Sequence, residues 1–416
     1  MRLRIHRGTR EIGGTCVELE SAGYRILLDL GLPLDAADID AVPLPGVSGL
    51  ATEDPSFLGV ILSHGHRDHW GLVPKARADM PVIMGRAVEA VMRAASDFVP
   101  GCAAIKASAY LESGNTLQIG PFAVLPWLVD HSGFDAYALQ IDSDRRRLFY
   151  SGDLRGHGRK AKLFERLLAD PPQNVDVMLM EGSSLGRVAD DGVFESESDL
   201  EETFVARFKE TAGMALVACS PQNIDRVVTI YRAAKRTDRT VIVDAYAAEV
   251  LKATGYATIP KPADDWSNIA VYIPQRQRVQ LKKRGTAGVV DSYRGFRIWP
   301  EQLAELSPRA VMLFRGWMLN DLTRAGALSG ARVFWSQWDG YLKDGSGLAL
   351  RQECHARNMP FEVVHTSGHA SPTALKHLAS AIAPKRLIPI HTFQRYRFPE
   401  LFENVTIVDD GQWIEV

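Results

Sequence analysis

The chain has 416 residues, enough for two or three domains at roughly 150 residues each. Hydrophobic residues make up 46% and charged residues 24%, which excludes a disordered chain, a collagen-like one and a small disulfide scaffold. Forty-eight Lys+Arg against 50 Asp+Glu leave a formal net charge of −2, so a nucleic-acid partner would need a local basic groove.

In chain order, RLRIH, TCVELE, YRILLDL and FLGVILSH read as short strands, β-branched or alternating and separated by Gly, Pro or Asp. GRAVEAVMRAASDFV has the 3.6-residue period of a helix, and WGLVPKARA before it is helix-like. Strands resume through NTLQIG, FAVLPWLVDH, DAYALQID, RRLFYSGD and VDVMLMEGSS. From about Asp190 the style changes to helix–strand alternation: ESDLEETFVARFKETAG, ALVACS, QNIDRVVTIYRAAKRT and TVIVDA. Such alternation indicates parallel βαβ units. Pro260 to Pro308 is polar, basic and punctuated by Pro and Gly, and its elements do not resolve from pattern. The tail returns to strands around the helices LALRQECHARN and SPTALKHLASAIA, with RLIPIHTF and VTIVDDGQWIEV last. A chain that leaves one style and returns to it carries an inserted domain.

MRLRIHRGTREIGG has charges where a signal peptide needs apolar residues, and no apolar run approaches the ~20 residues of a membrane span. Cys16, Cys102, Cys219 and Cys354 form no C-x-x-C pair, which fits separate thiols in a reducing compartment. The expectation is a cytoplasmic protein without a membrane partner.

The histidines carry the chemistry. His64, His66, Asp68 and His69 fall within six positions, on the loop after the strand FLGVIL. Three imidazoles and a carboxylate so close desolvate and repel one another unless something shares them, and zinc-like cations take such donors. The pattern H-x-H-x-D-H after a strand is specific; a solvated polar loop is the plain alternative. His131, Asp153 and His391 close other apolar strands. Each alone reads as a capped or surface polar residue. With the first cluster they complete two metal sites.

These residues resemble the metallo-β-lactamase fold, an α/β architecture of two mixed sheets between helices (an αββα sandwich). By that resemblance His64, His66 and His131 hold one metal, Asp68, His69 and His391 the second, and Asp153 bridges them. Asp29, closing YRILLD, matches the acid that supports ligands from behind. More than 200 residues separate Asp153 from His391, which resembles the β-CASP nucleases with their inserted α/β domain. Glu181 in LMEGSS, His369 in HTSGHAS and His391 in LIPIHTF sit at the β-CASP motifs, while GTREIGGT, HGHRDHWG and ENVTIVDDGQ are similar to RNase J. The expected domains are 1–188 and 361–416 for the metal-site fold and 189–360 for the insertion. VMLFRGWMLND lacks the TGSQGE-like stretch of RNase J, and the chain stops where RNase J proteins continue into a C-terminal domain. RNase J's oligomeric and exonuclease habits are therefore not carried over.

What the resemblance implies is a two-metal phosphodiester hydrolase. Two divalent ions, zinc or manganese, would acidify a water and clamp the non-bridging oxygens. Asp68 would orient the water or accept its proton. His369 would protonate the leaving oxygen, with Glu181 holding its imidazole. Ser371 and Pro372 read as N-cap and N1 of a helix. With His365 and Ser367, Ser371 matches a stretch that seats a substrate phosphate in RNase J. The basic run Arg276, Arg278, Lys282, Lys283 and Arg284, near Tyr272 and Tyr293, would line a nucleic-acid channel or be a solvated basic face. Arg155 and His157 are further candidates for phosphate contact. The expected partner is single-stranded RNA, and no protein partner or guide is readable. Three alternatives stay open: a DNA nuclease of the same family, a small-molecule ester or lactone hydrolase on the same core, and a non-catalytic nucleic-acid-binding subunit.

Overall fold

The computed structural model describes residues 1–36, 38–343 and 345–416, in two compact units. The first comprises 1–92, 102–194 and 368–416; the second comprises 93–101 and 195–367. These crossings lie at 194/195 and 367/368, where the sequence pattern placed them at 188/189 and 360/361. The reason is local. Asp190 receives a hydrogen bond from Lys376 Nζ on its carbonyl and from Arg397 on its carboxylate, so the loop through 194 belongs with the first unit.

Two sheets build the first unit. One has seven strands in the order Trp413–Glu415, Arg2–Arg7, Cys16–Ser21, Tyr24–Leu28, Phe57–Ile61, Val82–Gly85, Ala109–Leu111. The other has six, Arg386–Ile390, Val177–Glu181, Arg146–Tyr150, Tyr137–Ser143, Phe122–Leu128, Leu117–Ile119. Strand alternation sends Leu3, Ile5, Val17, Leu19, Ile26 and Leu28 of the first sheet inward against Phe122, Val124, Leu139, Ile141, Leu148 and Leu179 of the second. The opposite faces are apolar too. Phe149, Met178 and Met180 lie under Phe164, Leu375, Leu378 and Phe398 of helices, and Leu27, Val60 and Leu62 lie under Trp70, Val88 and Met92. The layers run helix, sheet, sheet, helix, as the resemblance implied.

The second unit is one seven-stranded parallel sheet: Arg297–Ile298, Ile269–Tyr272, Thr240–Val243, Ala310–Leu313, Ala215–Ala218, Arg332–Trp335, Phe361–Val363. Strands covered on both faces read as unbroken apolar runs, and ALVA, TVIV and AVML do. Helices alternate with them at Glu197–Glu210, Ile224–Arg236 and Ala245–Ala253. The stretch that pattern left open holds the strand Ile269–Tyr272, the helix Gln275–Arg284 and several short turns.

Helix-like WGLVPKARA holds only Trp70, the end of the α turn Arg67–Trp70, and a 3-10 turn, Val73–Lys75. Pro74 has no N–H to continue an α-helix. The four cysteines are free, and among the described residues no helix is long and apolar enough to cross a membrane.

Candidate metal centre

Tyr24–Leu28 and Phe57–Ile61 run parallel in one sheet, and Arg146–Tyr150, Val177–Glu181 and Arg386–Ile390 run parallel in the other. Parallel pairing puts carboxyl ends side by side, the usual place for a site in an α/β fold. Asp29, His64, Asp153, Glu181 and His391 all sit at or just past those ends. The turn Arg67–Trp70 carries Asp68 and His69, and His131 follows Phe122–Leu128.

The first unit thereby brings all seven expected ligands together. His64, His66 and His131 form one group and Asp68, His69, Asp153 and His391 a second, with candidate donor atoms within 4.8 Å of one another in each. Asp153 Oδ2 lies 3.7 Å from His64 Nε2, 3.1 Å from His69 Nε2 and 3.5 Å from His391 Nε2, so it faces both groups. Asp68 Oδ2 is 3.7 Å from His391 Nε2 and partly exposed. His66 Nδ1 and His131 Nε2 are 3.1 Å apart.

Do these residues fit divalent ions? His64 Nε2, His131 Nδ1, Asp153 Oδ1 and His391 Nε2 are buried without a hydrogen-bond partner. Such atoms are expensive to desolvate unless a partner satisfies them, and a cation satisfies several at once. A set of imidazoles and carboxylates without thiolate suits zinc and also manganese. The residues fit.

Electrostatics agree at four of the five histidines, His64, His66, His131 and His391. Burial and neighbouring imidazoles push His64 and His131 well below the usual histidine range, keeping both neutral as ligands must be. Burial also lowers His66 and His391. Burial would raise the Asp153 carboxyl, but His391 and His69 override it and hold it well below the carboxylate range. For His69 the burial penalty is outweighed by Asp153 and Asp29, which raise it well above its ordinary value.

Behind the ligands stands Asp29. Its carboxylate accepts from Ser63 N at 2.7 Å, Ser63 Oγ at 2.8 Å and Tyr150 Oη at 2.6 Å, and lies 2.7 Å from His69 Nδ1. Thr15 Oγ1 lies 2.9 Å from His391 Nδ1. Asp29 and His391 both have left-handed backbone, φ +58° and +54°, a conformation that persists where surrounding contacts over-determine it. Gly133 is small for a reason: a Cβ there would stand 3.1 to 3.3 Å from the His64, His131 and His66 rings. Sequence reasoning missed Tyr150, Thr15, Ser63 and Gly133. Polar residues scattered at strand ends have no spacing that marks them.

His369 Nδ1 is 3.3 Å from Glu181 Oε1 and 3.7 Å from Asp153 Oδ2. Burial would lower its pKa, but Glu181 and Asp153 raise it to about 9. Glu181 is fully buried and accepts from Ser183 N at 3.0 Å. The expected phosphate contacts are differently placed. Ser371 caps the helix Pro372–Ile382 by accepting from Ala374 N, in the first unit. His365 and Ser367 belong to the second unit, where His365 Nδ1 lies 3.2 Å from the buried Arg226 guanidinium. Arg155 is no phosphate contact: it is fully buried, 3.4 Å from Asp130. The basic run lies on the helix Gln275–Arg284 of the second unit, with Arg276 over Trp317 at 5.3 Å. Tyr272 and Tyr293 are buried, Tyr293 bonding Glu249, so neither ring is an open stacking surface.

No family model matches the chain. Ribonuclease J of Helicobacter pylori (strain B128) is 22% identical over 442 residues, covering 98% of this chain and 60% of that relative. Ribonuclease J of Mycobacterium tuberculosis (strain ATCC 25618 / H37Rv) is 24% identical over 419 residues, 94% of this chain and 68% of the relative. This chain thus spans about 60% of the length of the H. pylori protein. A crystal structure from Enterococcus faecalis V583, described as a protein of unknown function, superposes with TM-score 0.80 at 20% identity, covering 100% of this chain and 99% of that one. That likeness shows the fold. The class is then defined: a metallo-β-lactamase sandwich with an inserted parallel α/β unit. Within that class, the chain is similar to ribonuclease J proteins along most of its length.

Proposed function

We propose that this chain is a two-metal phosphodiester hydrolase acting on single-stranded RNA. The observation that carries the reading is the cluster of buried, unpartnered donor atoms on His64, His131, Asp153 and His391, with the His369–Glu181 pair beside it. Relatives called ribonuclease J support RNA as the substrate. His64, His66 and His131 would hold one divalent ion, Asp68, His69 and His391 the other, and Asp153 both. Such ions, zinc in our reading, supply an activated water at neutral pH and stabilise charge developing on the phosphate.

The chain's own groups do the rest. Asp68, partly exposed, orients the attacking water and takes its proton. His369 is held protonated by Glu181 and Asp153, and it gives its Nε2 proton to the leaving oxygen. Glu181 fixes the ring by accepting at Nδ1. The N-terminal turn of Pro372–Ile382, capped by Ser371, offers backbone N–H groups to a phosphate oxygen. His365 and Ser367 are candidate phosphate contacts of the second unit.

The test uses metal-reconstituted protein with 5′-labelled single-stranded RNA, its DNA counterpart and a His369→Ala control. RNA cleavage that falls about 10²- to 10⁴-fold in His369→Ala, with metal content retained, is expected. Protein that carries two ions and cleaves neither strand would overturn the reading.

A further inference from the structure

The loop after His391 shows large aromatic rings to solvent. Phe393 is 59% exposed and Tyr396 70%, in a segment that adds neither ring to a core. A lone exposed apolar side chain needs no explanation. Here the two rings lie on one pinned loop next to a candidate metal ligand. Phe393 lies two positions past His391, at most about 7 Å of chain.

That loop is built rather than slack. His391 N donates to Gly8 O at 2.7 Å. Thr392 Oγ1 donates to Gly182 O at 2.8 Å and accepts from Gln394 N at 3.0 Å. Arg395, itself buried, donates to Val408 O at 2.6 Å and to Asp409 at 2.8 Å. It also holds the exposed ring: its guanidinium lies 4.6 Å from the Tyr396 centroid and donates to Tyr396 Oη at 2.6 Å. Arg10, exposed, shares Asp409 with Arg395. A rigid ring facing water, backed by a buried cation and beside an exposed one, is made for a flat π-system on an anionic chain. A nucleobase has that chemistry.

We propose that Phe393 and Tyr396 form a nucleobase-stacking subsite for a nucleotide flanking the scissile phosphate on the His391 side of the centre. The subsite rests on the ribonuclease reading. It adds that the enzyme grips a base face, with little preference for which base, because every base has one.

The experiment is a cycle between protein and substrate, on the metal-loaded 416-residue chain. Phe393→Ala, Tyr396→Ala and Phe393→Trp are each assayed on single-stranded RNA, intact or with one abasic residue stepped along the flanking positions. Phe393→Ala and Tyr396→Ala should each lower kcat/KM on intact RNA about tenfold, chiefly through KM. One abasic position should cost wild type a similar factor. The two losses combined should cost no more than either alone, and Phe393→Trp should restore the wild-type value. Losses that simply multiply, or variants that match wild type at every position, would overturn the subsite. Wild type that cleaves no RNA would instead sink the ribonuclease reading. The same cycle, read as Kd by fluorescence anisotropy, then decides the subsite: non-additive losses support it and additive or absent losses overturn it.

Discussion

Four donors meet the Asp29 carboxylate, and their arrangement leaves no room for an amide. Ser63 N faces Oδ1, while Ser63 Oγ, His69 Nδ1 and Tyr150 Oη face Oδ2. Asparagine keeps the shape, but whichever way it turns its NH2 meets a donor. Asp29→Asn should therefore weaken metal affinity by about 10- to 100-fold, measured by competition with a chromogenic chelator. Unchanged affinity would show that Asp29 does not orient His69. Glu18 makes a case far simpler to titrate. Its buried carboxylate meets Arg4 at 2.7 Å, His6 at 2.8 Å and Arg25 at 3.2 Å. Burial would raise its pKa, but His6 and Arg4 hold it down to about 2 from an ordinary 4.5. The folded pKa lies below the unfolded one, so this stabilisation is complete above pH 4.5 and is lost as pH falls toward 2. The melting-temperature gap between wild type and Glu18→Gln should narrow across that window; a constant gap would refute the assignment. Residue types legible in sequence were those with spacing. His64 to His69 announced themselves, whereas Tyr150 reached Asp29 only through the stacking of the two sheets, and Arg155 read as a candidate phosphate contact until its burial beside Asp130 was seen.

Elements were legible where a period ran long enough. Glu197–Glu210 and Ile224–Arg236 read as helices because apolar residues recur at 3.6-residue spacing, and ALVA or TVIV as strands because both faces are covered. Short elements between Pro260 and Pro308 gave no such run, and a helix-like pattern after His69 was cut short by Pro74. The start of Glu197–Glu210 is a two-way cap. Ser196 Oγ accepts from Asp199 N at 3.1 Å, and Asp199 Oδ2 accepts from Ser196 N at 2.8 Å. Two backbone N–H groups of the helix start are satisfied together. Ser196→Ala should cost about 1 kcal/mol, seen as a lower urea midpoint with the slope unchanged. No shift would mean that water replaces the cap at no cost.

At the scale of the molecule, the candidate ligands lie in one unit only. His64, His66, Asp68, His69, His131, Asp153 and His391 all fall in the unit made of 1–92, 102–194 and 368–416. That unit is discontinuous in sequence, which is why the change of style near Asp190 and the return to strands betrayed an insertion. The exact crossings, set by contacts such as Lys376 with Asp190, were not legible. Ions bound there would bridge segments remote in sequence, and they would be bound by the folded state alone. Linkage then fixes the size of the effect: at a free metal concentration about 100 times Kd, each ion contributes about 2.7 kcal/mol to stability. For a unit of this size that corresponds to roughly 5–10 °C in melting temperature. The effect must also be local. Hydrogen exchange with and without a chelator should show faster exchange in Val177–Glu181 and Arg386–Ile390, whose ends carry Glu181 and lead to His391. Ala215–Ala218 and Ala310–Leu313, in the parallel sheet of the other unit, should keep their protection. Chelation that loosens both units equally, or neither, would mean that the ions are not held by these seven residues.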